Sequence, residues 1–469
     1  MAEYKNFVLF VLDQLSFRAL RAYGNEESST PNIDAFCNEG VTMEACYCPF
    51  PLCQPARAAI WTGRFSHRNR VWSNGRKWPI TGIDESFPAL GEVFTNAGYD
   101  AYHFGKKHDG GALRGFVCSE EKEIRIPDEN PLFPFNMDSY ADEYTVKETL
   151  HFLKNRKSDK PLLLVVDLVN PHNICGWVGK NKFAHSDSAF EGMMLPKLLP
   201  NYEFNDIGTR PPCVQYLCCS HVRQSQTKGW TERNFREYLA AYYYYLAHVD
   251  EQIGMIMDAL KNCSINFDNT FFVLTSDHGD NMAARASVTK QVTLYEEVTR
   301  VPLVFAGNGV EGKNLTAKGI CSSLDIFPTL ISLAGIKSIP ELDGIDISES
   351  FSSGILPERK YVGSEWFTEW GYTVSPGRMI RCGNVKYIHY LEGDSEELYL
   401  LDRDPYETHN AVEDQDCKSV LDKMRLLFKQ SLEETDDSYL SLEVQVDKRW
   451  RSHHLGYQNH EGPSAPEVG

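Results

Sequence analysis

The 469-residue sequence predicts an α/β protein with a large, mostly parallel sheet sandwiched by helices. A smaller C-terminal antiparallel sheet with one helix is expected to follow. Three observations carry that prediction. Phe7-Val-Leu-Phe-Val-Leu12 is an unbroken apolar run, the pattern of a strand buried on both faces. Leu162–Val166 and Phe271–Leu274 repeat it, and the three runs stop at Asp13, at the Asn170-Pro171-His172 turn and at Asp277. In open α/β sheets the binding crevice lies beyond the carboxyl ends of the strands, so these stops are expected to share one site. From about residue 345 the pattern changes to short strand segments separated by glycine-containing turns. The expected division is a large α/β domain over 1–345, an α+β subdomain over 346–440 and a tail over 441–469.

Taken in order, Thr30 is placed to cap a helix that starts at Pro31, where the missing N–H needs no partner. Ala101–Phe104 reads as a strand. Phe235–Leu260 reads as a long helix carrying the tyrosine run Tyr242–Tyr245, and Leu303–Phe305 as a further short strand. In the C-terminal part, Tyr361-Val362, Met379-Ile380, Val385–Tyr390 and Glu397–Leu401 are the strand candidates. An amphipathic helix is expected around Lys418–Leu432, and the polar tail from Asp447 on reads as loose. No internal repeat is present.

A net charge of −18 argues against nucleic acid or an anionic membrane surface as a partner. No apolar run reaches membrane-spanning length, and Phe7–Leu12 is too short for a secretory signal core. Thirteen scattered cysteines, with no zinc-type spacing, fit reduced thiols in a cytoplasm better than a disulfide framework. Nothing in the chain fixes an oligomeric state, and a homo-oligomer stays open. An acidic chain that binds an anion must do so in a locally basic pocket.

The most informative stretch is Cys53-Gln54-Pro55-Ala56-Arg57, closed by Thr62-Gly63-Arg64. Pro55 suits a first helical turn, the residues after it propagate a helix, and Gly63 can end one. Cys53 then lies at the helix N-terminus with Arg57 one turn on. Free N–H groups, the positive end of a dipole and a guanidinium surround one potential nucleophile.

This run resembles the signature of the type I, formylglycine-dependent sulfatases of the alkaline phosphatase superfamily. Ala56 stands where the family has serine, and Trp61 where it has leucine. The resemblance implies an alkaline-phosphatase-like fold and a Cys53 oxidised to formylglycine by a formylglycine-generating or anaerobic sulfatase-maturating enzyme. It also implies one divalent metal held by Asp13, Gln14, Asp277, His278 and residue 53. Ca²⁺ is the first expectation, with Mg²⁺ and Mn²⁺ open, since oxygen donors suit all three. The Asp13-Gln14 pair is similar to that of choline sulfatases, phosphonate monoester hydrolases and some carbohydrate sulfatases. Gly105-Lys106-Lys107-His108 resembles the family's Gly-Lys-Trp-His motif, and Pro171-His172 its Pro-His turn. Lys290 resembles the lysine that follows the Asp-His-Gly metal run.

By that resemblance the hydrated formylglycine attacks sulfur, and Arg57, Lys106 and Lys290 neutralise the sulfuryl oxygens. His172 or Lys290 protonates the leaving oxygen, and His108 acts as base. The expected substrate is a small anionic sulfate ester, first of all a sulfated saccharide such as a glycosaminoglycan fragment. Alternatives are a phosphonate monoester or phosphodiester, an aryl or steroid sulfate, choline sulfate, or a non-catalytic glycan-binding role. The Trp72–Trp78 segment, Trp177, Trp366 and Trp370 are candidates for the pocket rim.

Overall fold

The computed structural model describes residues 5–74, 83–120, 142–181, 190–203, 210–211, 213–214, 226–290, 293–337, 340–367, 375–391 and 393–442. Its strands are β1 (Asn6–Asp13), β2 (Gly40–Tyr47), β3 (Asp100–Gly105), β4 (Val117–Cys118), β5 (Leu162–Pro171), β6 (Thr270–Ser276), β7 (Arg300–Val301), β8 (Leu303–Gly307) and β9 (Leu315–Ser322). They form one sheet in the order β4-β3-β5-β1-β6-β8-β2-β7, with β9 also paired to β2. The stretch from β4 to β6 is parallel, whereas β8 runs antiparallel to both β6 and β2. β1 sits centrally, with Phe7 opposite Leu163 on one side and Phe271 on the other.

The apolar runs are continuous because both faces are covered. Val8, Phe10 and Leu12 enter one core together with Leu164, Val166 and Leu274. Phe7, Leu9 and Val11 enter the other with Leu163, Val165 and Val273. This is the two-residue alternation of a strand, with each fully buried Leu, Val or Phe contributing about 1.5–3 kcal/mol. Helices α1 (Pro31–Asn38), α2 (Cys53–Thr62), α3 (Leu90–Asn96), α4 (Asp142–Asn155), α5 (Ile174–Lys180), α6 (Glu232–Lys261) and α7 (Ile326–Leu333) cover the sheet. Residues of α1, α4, α5 and α6 line the first core, and residues of α2, α3 and α7 the second.

A second sheet, β10 (Val362–Trp366), β11 (Gly377–Cys382), β12 (Val385–Tyr390) and β13 (Ser395–Leu400), is fully antiparallel. Helix α8 (Lys418–Glu434) presents Leu421, Met424, Phe428 and Leu432 along one stripe against Ile380, Tyr387 and Leu398. The two sheets meet through charged groups as well as apolar ones. Lys386, fully buried on β12, reaches Glu296 at 3.2 Å and Glu407 at 2.7 Å.

Two rim expectations are corrected here. Trp177 is buried in the α5/α6 core against Trp230 and Tyr238, and Trp366 is buried on β10 against Phe50. Both indoles are packing residues, because their positions on a helix and a strand turn them inward. Trp72 is half-buried and packs on Phe367 with the rings tilted by 40°. Residues 75–78, Trp370 and the tail from 443 on lie outside the described residues. No helix among the described residues is long and apolar enough to cross a membrane.

Candidate active site

Four segments that leave the carboxyl side of the parallel strands converge on one buried cluster. β1 ends in Asp13, and Gln14 follows in the left-handed region at φ 68°, a conformation that costs a non-glycine residue about 1 kcal/mol or more. Three hydrogen bonds hold that turn. The Gln14 N–H donates to Asp277 Oδ1 at 3.0 Å, the Tyr242 hydroxyl donates to the Gln14 carbonyl at 2.6 Å, and the Ser16 N–H donates to Tyr242 Oη at 3.0 Å. β6 delivers Asp277 and His278. His278 Nδ1 lies 2.9 Å from the Gly279 carbonyl, which fixes the proton there and turns Nε2 toward the cluster.

α2 begins at Cys53 and ends at Gly63, whose φ of 64° and N–H to Ala59 carbonyl bond close the last turn. Cys53, only 1% exposed, therefore projects from the helix N-terminus into the cluster. Its Sγ lies 3.3 Å from His278 Nε2, 3.2 Å from Lys290 Nζ and 3.9 Å from Asp13 Oδ1. His108 and His172 also interact electrostatically with its side chain. Burial alone would raise the Cys53 thiol, but Lys106, Lys290 and His278 hold it well below the usual thiol range. The pocket is thus electropositive at residue 53 and stabilises an anion there.

Lys106 is aimed by Gly105, whose φ is 101° and whose place no other residue can take without collision. A Cβ there would lie 1.9 Å from the Asp167 carbonyl oxygen. The Lys106 ammonium pairs with Asp13 Oδ2. His172 follows β5, and burial lowers its imidazole to about 4 although the Asp13 carboxylate opposes the shift. It is neutral at pH 7.

Arg57 is placed among carboxylates. It is fully buried and its guanidinium faces three carboxylates: Asp13 at 3.2 Å, Asp277 at 3.0 Å, and Asp167. Nε, Nη1 and Nη2 each donate to one of these carboxylates, which uses three of the five N–H donors. Arg57 ties α2 to the carboxyl ends of β1, β5 and β6, and removing one partner of such a buried set costs about 3–5 kcal/mol. Burial would lower its pKa, yet the three carboxylates hold it well above the ordinary value.

Asp167 and its neighbour His103, 3.4 Å away, were not singled out from sequence. A carboxylate in the middle of the apolar run Leu162–Val169 is a signal in itself, because a charge buried there needs a partner. Asp280, Tyr238 and Tyr242 were also missed. The two tyrosines are one turn apart on α6, on the face that meets the Gln14 turn.

The donor set fits a divalent cation. Asp13, Cys53, Asp277 and His278 each offer an atom within 4.8 Å of the others. Asp277 is raised by burial and by the nearby Asp13 carboxylate, although Arg57 and His278 oppose the shift. Two carboxylates plus the amide oxygen of Gln14 suit a hard ion, and the His278 nitrogen leaves its identity open.

Residues 5–336 match the sulfatase family model, and residues 288–435 match the C-terminal model of N-sulphoglucosamine sulphohydrolase. The chain is 39% identical over 469 residues to a Delta 4,5-hexuronate-2-O-sulfatase of Bacteroides thetaiotaomicron, covering 99% of this chain and 96% of that protein. A solved 2-O GAG sulfatase aligns over 100% of both chains with a TM-score of 0.93 at 39% identity. Phosphonate monoester hydrolase of Agrobacterium radiobacter shares the fold, with a TM-score of 0.73 at 23% identity over 98% of this chain and 99% of that one. With the Cys53 helix, the two strand-end carboxylates and the family match agreeing along most of its length, this chain belongs to the sulfatase family of sulfuric ester hydrolases.

Proposed function

We propose that the protein removes a 2-O-sulfate from an unsaturated hexuronate at the end of a glycosaminoglycan fragment. The observation that carries the chemistry is the Cys53 Sγ, buried between Lys290 Nζ at 3.2 Å and His278 Nε2 at 3.3 Å. The position of the ester is supported by the full-length similarity to a hexuronate 2-O-sulfatase.

In this reading a maturating enzyme converts Cys53 to formylglycine, and the thiol sulfur marks where the hydrate oxygens stand. Formylglycine hydrate supplies an oxygen nucleophile with a second hydroxyl on the same carbon, and a divalent cation held by Asp13, Gln14, Asp277 and His278 supplies fixed positive charge beside it. Lys106 and Lys290 bring further positive charge to the sulfuryl oxygens, which carry most of the charge of the transition state. One hydrate hydroxyl gives its proton to the Asp277 carboxylate and its oxygen bonds to sulfur as the bond to the ester oxygen breaks, and Lys290 gives its proton to that ester oxygen. His108 takes the proton of the second hydroxyl, so that sulfate leaves residue 53 and the aldehyde carbonyl returns. Arg57 holds Asp13 and Asp277 in place throughout. The neutral His172 imidazole interacts electrostatically with residue 53.

The test is sulfate release from unsaturated disaccharides sulfated at the uronate 2-O, the glucosamine 6-O or the glucosamine nitrogen, with a phenyl phosphonate monoester as control. Activity confined to the 2-O isomer is expected. A kcat/KM on phenyl phosphonate above that on every sulfate ester would overturn the proposal. The peptide containing residue 53 should be lighter by about 18 Da, the mass lost on conversion of thiol to aldehyde.

A further inference from the structure

Gln14 poses a problem that an aspartate in its place would not. A carboxylate offers an oxygen whichever way it turns, whereas an amide offers oxygen at one end and N–H₂ at the other. A reversed Gln14 would aim hydrogen atoms at a cation.

The fully buried Gln14 side chain is gripped at both ends by groups that can only do one thing. Gln14 Nε2 donates to Asp280 Oδ2 at 2.7 Å. Gln14 Oε1 accepts from Lys290 Nζ at 3.3 Å and from Cys175 Sγ at 3.4 Å. An ammonium has no acceptor to offer, and a carboxylate has no hydrogen to offer. Asp280 is itself fully buried and held as an acceptor from three sides. The Tyr238 hydroxyl lies 2.7 Å from Oδ1 and 2.8 Å from Oδ2, and the Met282 N–H donates to Oδ1 at 2.7 Å. Tyr238 is in turn fixed by the Thr289 N–H at 2.8 Å, next to Lys290.

We infer that Asp280 is a positioning residue that locks the Gln14 amide with its oxygen toward Lys290, whose ammonium also contacts Cys53 Sγ in the candidate metal cluster, and that Tyr238 of α6 holds Asp280 in that role. The inference rests on the proposed metal reading of Asp13, Gln14, Asp277 and His278. It extends that reading to two residues that touch neither cation nor substrate. It also accounts for a tyrosine-rich helix behind the site: Tyr242 fixes the backbone of Gln14, and Tyr238, one turn earlier, fixes its side chain through Asp280.

The test is a double-mutant cycle on Ca²⁺ affinity, read by isothermal titration calorimetry on metal-stripped full-length protein. Gln14→Ala removes the amide. Asp280→Asn keeps the volume but can turn an N–H₂ toward Gln14, so the amide loses its single orientation. Each is expected to weaken Ca²⁺ binding by roughly 10–100-fold, the usual effect of a disturbed outer shell. The double variant is expected to bind no more weakly than Gln14→Ala alone, because Asp280 acts only through Gln14. Tyr238→Phe, which deletes one hydroxyl, is expected to lose affinity in the same direction by a smaller factor, and it stands in should Asp280→Asn fail to fold.

Wild-type Ca²⁺ affinity in Asp280→Asn, or losses that simply multiply in the double variant, would overturn the inference while leaving the metal site intact. Should Asp280→Asn not fold, wild-type affinity in Tyr238→Phe would do the same. Unchanged affinity in Gln14→Ala would overturn the reading of Gln14 as a ligand and this inference with it.

Discussion

Two clusters, one fully buried and one part-buried, bring one histidine and two carboxylates within ligand distance of one another among the described residues. One is the Asp13–Asp277–His278 cluster around Cys53. The other lies where the two sheets meet and joins His67, Glu365 on β10 and Asp437 beyond α8. Their residue types are nearly interchangeable, yet their charges are not. At the seam His67 Nδ1 pairs with Glu365, His67 Nε2 donates to the Thr435 carbonyl at 2.9 Å, and Arg378 donates to both oxygens of Asp437 at 2.7 and 3.3 Å. Two cations therefore face two carboxylates, and the cluster is closed.

Around Cys53, Arg57 and Lys106 must serve Asp13, Asp167 and Asp277 together. One carboxyl group, Asp277, stays raised by burial and by its neighbour Asp13. The comparison teaches that one set of residue types closes into a structural fastener when a guanidinium and a protonated imidazole pair with both carboxylates, and is more open to a cation where three carboxylates share two basic partners.

The largest effect expected on either side of this contrast is at the nucleophile. Cys53→Ser removes the second hydroxyl and should lower sulfate release by roughly 10⁴-fold or more, as loss of a nucleophile generally does. The unfolding midpoint should stay near wild type. Turnover within tenfold of wild type in that variant would sink the mechanism.

Next is the response to metal. Protein stripped by EDTA and then given Ca²⁺ at a thousand times its Kd should gain about 4 kcal/mol of unfolding free energy. That gain should vanish in Asp277→Ala and persist in Glu365→Gln. The reverse pattern would make the seam, not the Cys53 cluster, the metal centre.

Arg378→Met should cost about 3 kcal/mol in urea denaturation, because it leaves Asp437 buried with too little positive charge. Folded Arg378→Met protein should keep its kcat. A large kcat loss would connect the seam to catalysis.

The smallest effect concerns pH. Burial would lower His67, but Glu365 and Asp437 raise it to about 9 from the ordinary 6.5. The protonated, paired form thus favours the folded state. Its contribution is complete below about pH 6.5 and fades as pH climbs through about 9, by at most about 3 kcal/mol. Unfolding free energies between pH 6 and 10 should fall less in His67→Leu than in wild type. Identical slopes in the two proteins would show that His67 does not titrate in this way.

Much of the fold was legible along the chain because parallel strands covered on both faces need continuous apolar runs, and β1, β5 and β6 carry them. β2 and β9 were not recognised. Gly40-Val-Thr-Met-Glu-Ala-Cys-Tyr47 and Leu315-Thr-Ala-Lys-Gly-Ile-Cys-Ser322 mix small, charged and apolar residues, and they become strands by pairing with each other and with β8. In the site, Cys53, Asp13, Asp277 and Lys106 sat in short motifs and could be named in advance. Arg57 was named too, but its three carboxylate partners were not. Asp167 and Asp280 carry no local motif of their own, and what gives them meaning is Arg57, 110 residues away from Asp167, and Gln14, 266 residues away from Asp280.

Local chemistry in the polypeptide was sufficient to specify a nucleophile at a helix start and acidic residues at strand ends, since spacing and propensity act over a few residues. Which cation answers which carboxylate, which tryptophans face inward, and how the charges of two look-alike clusters are paired were settled only by folding. Electrostatic balance in a buried site depends on every charge within a few ångströms, and those charges come together only when strands far apart in the chain lie side by side.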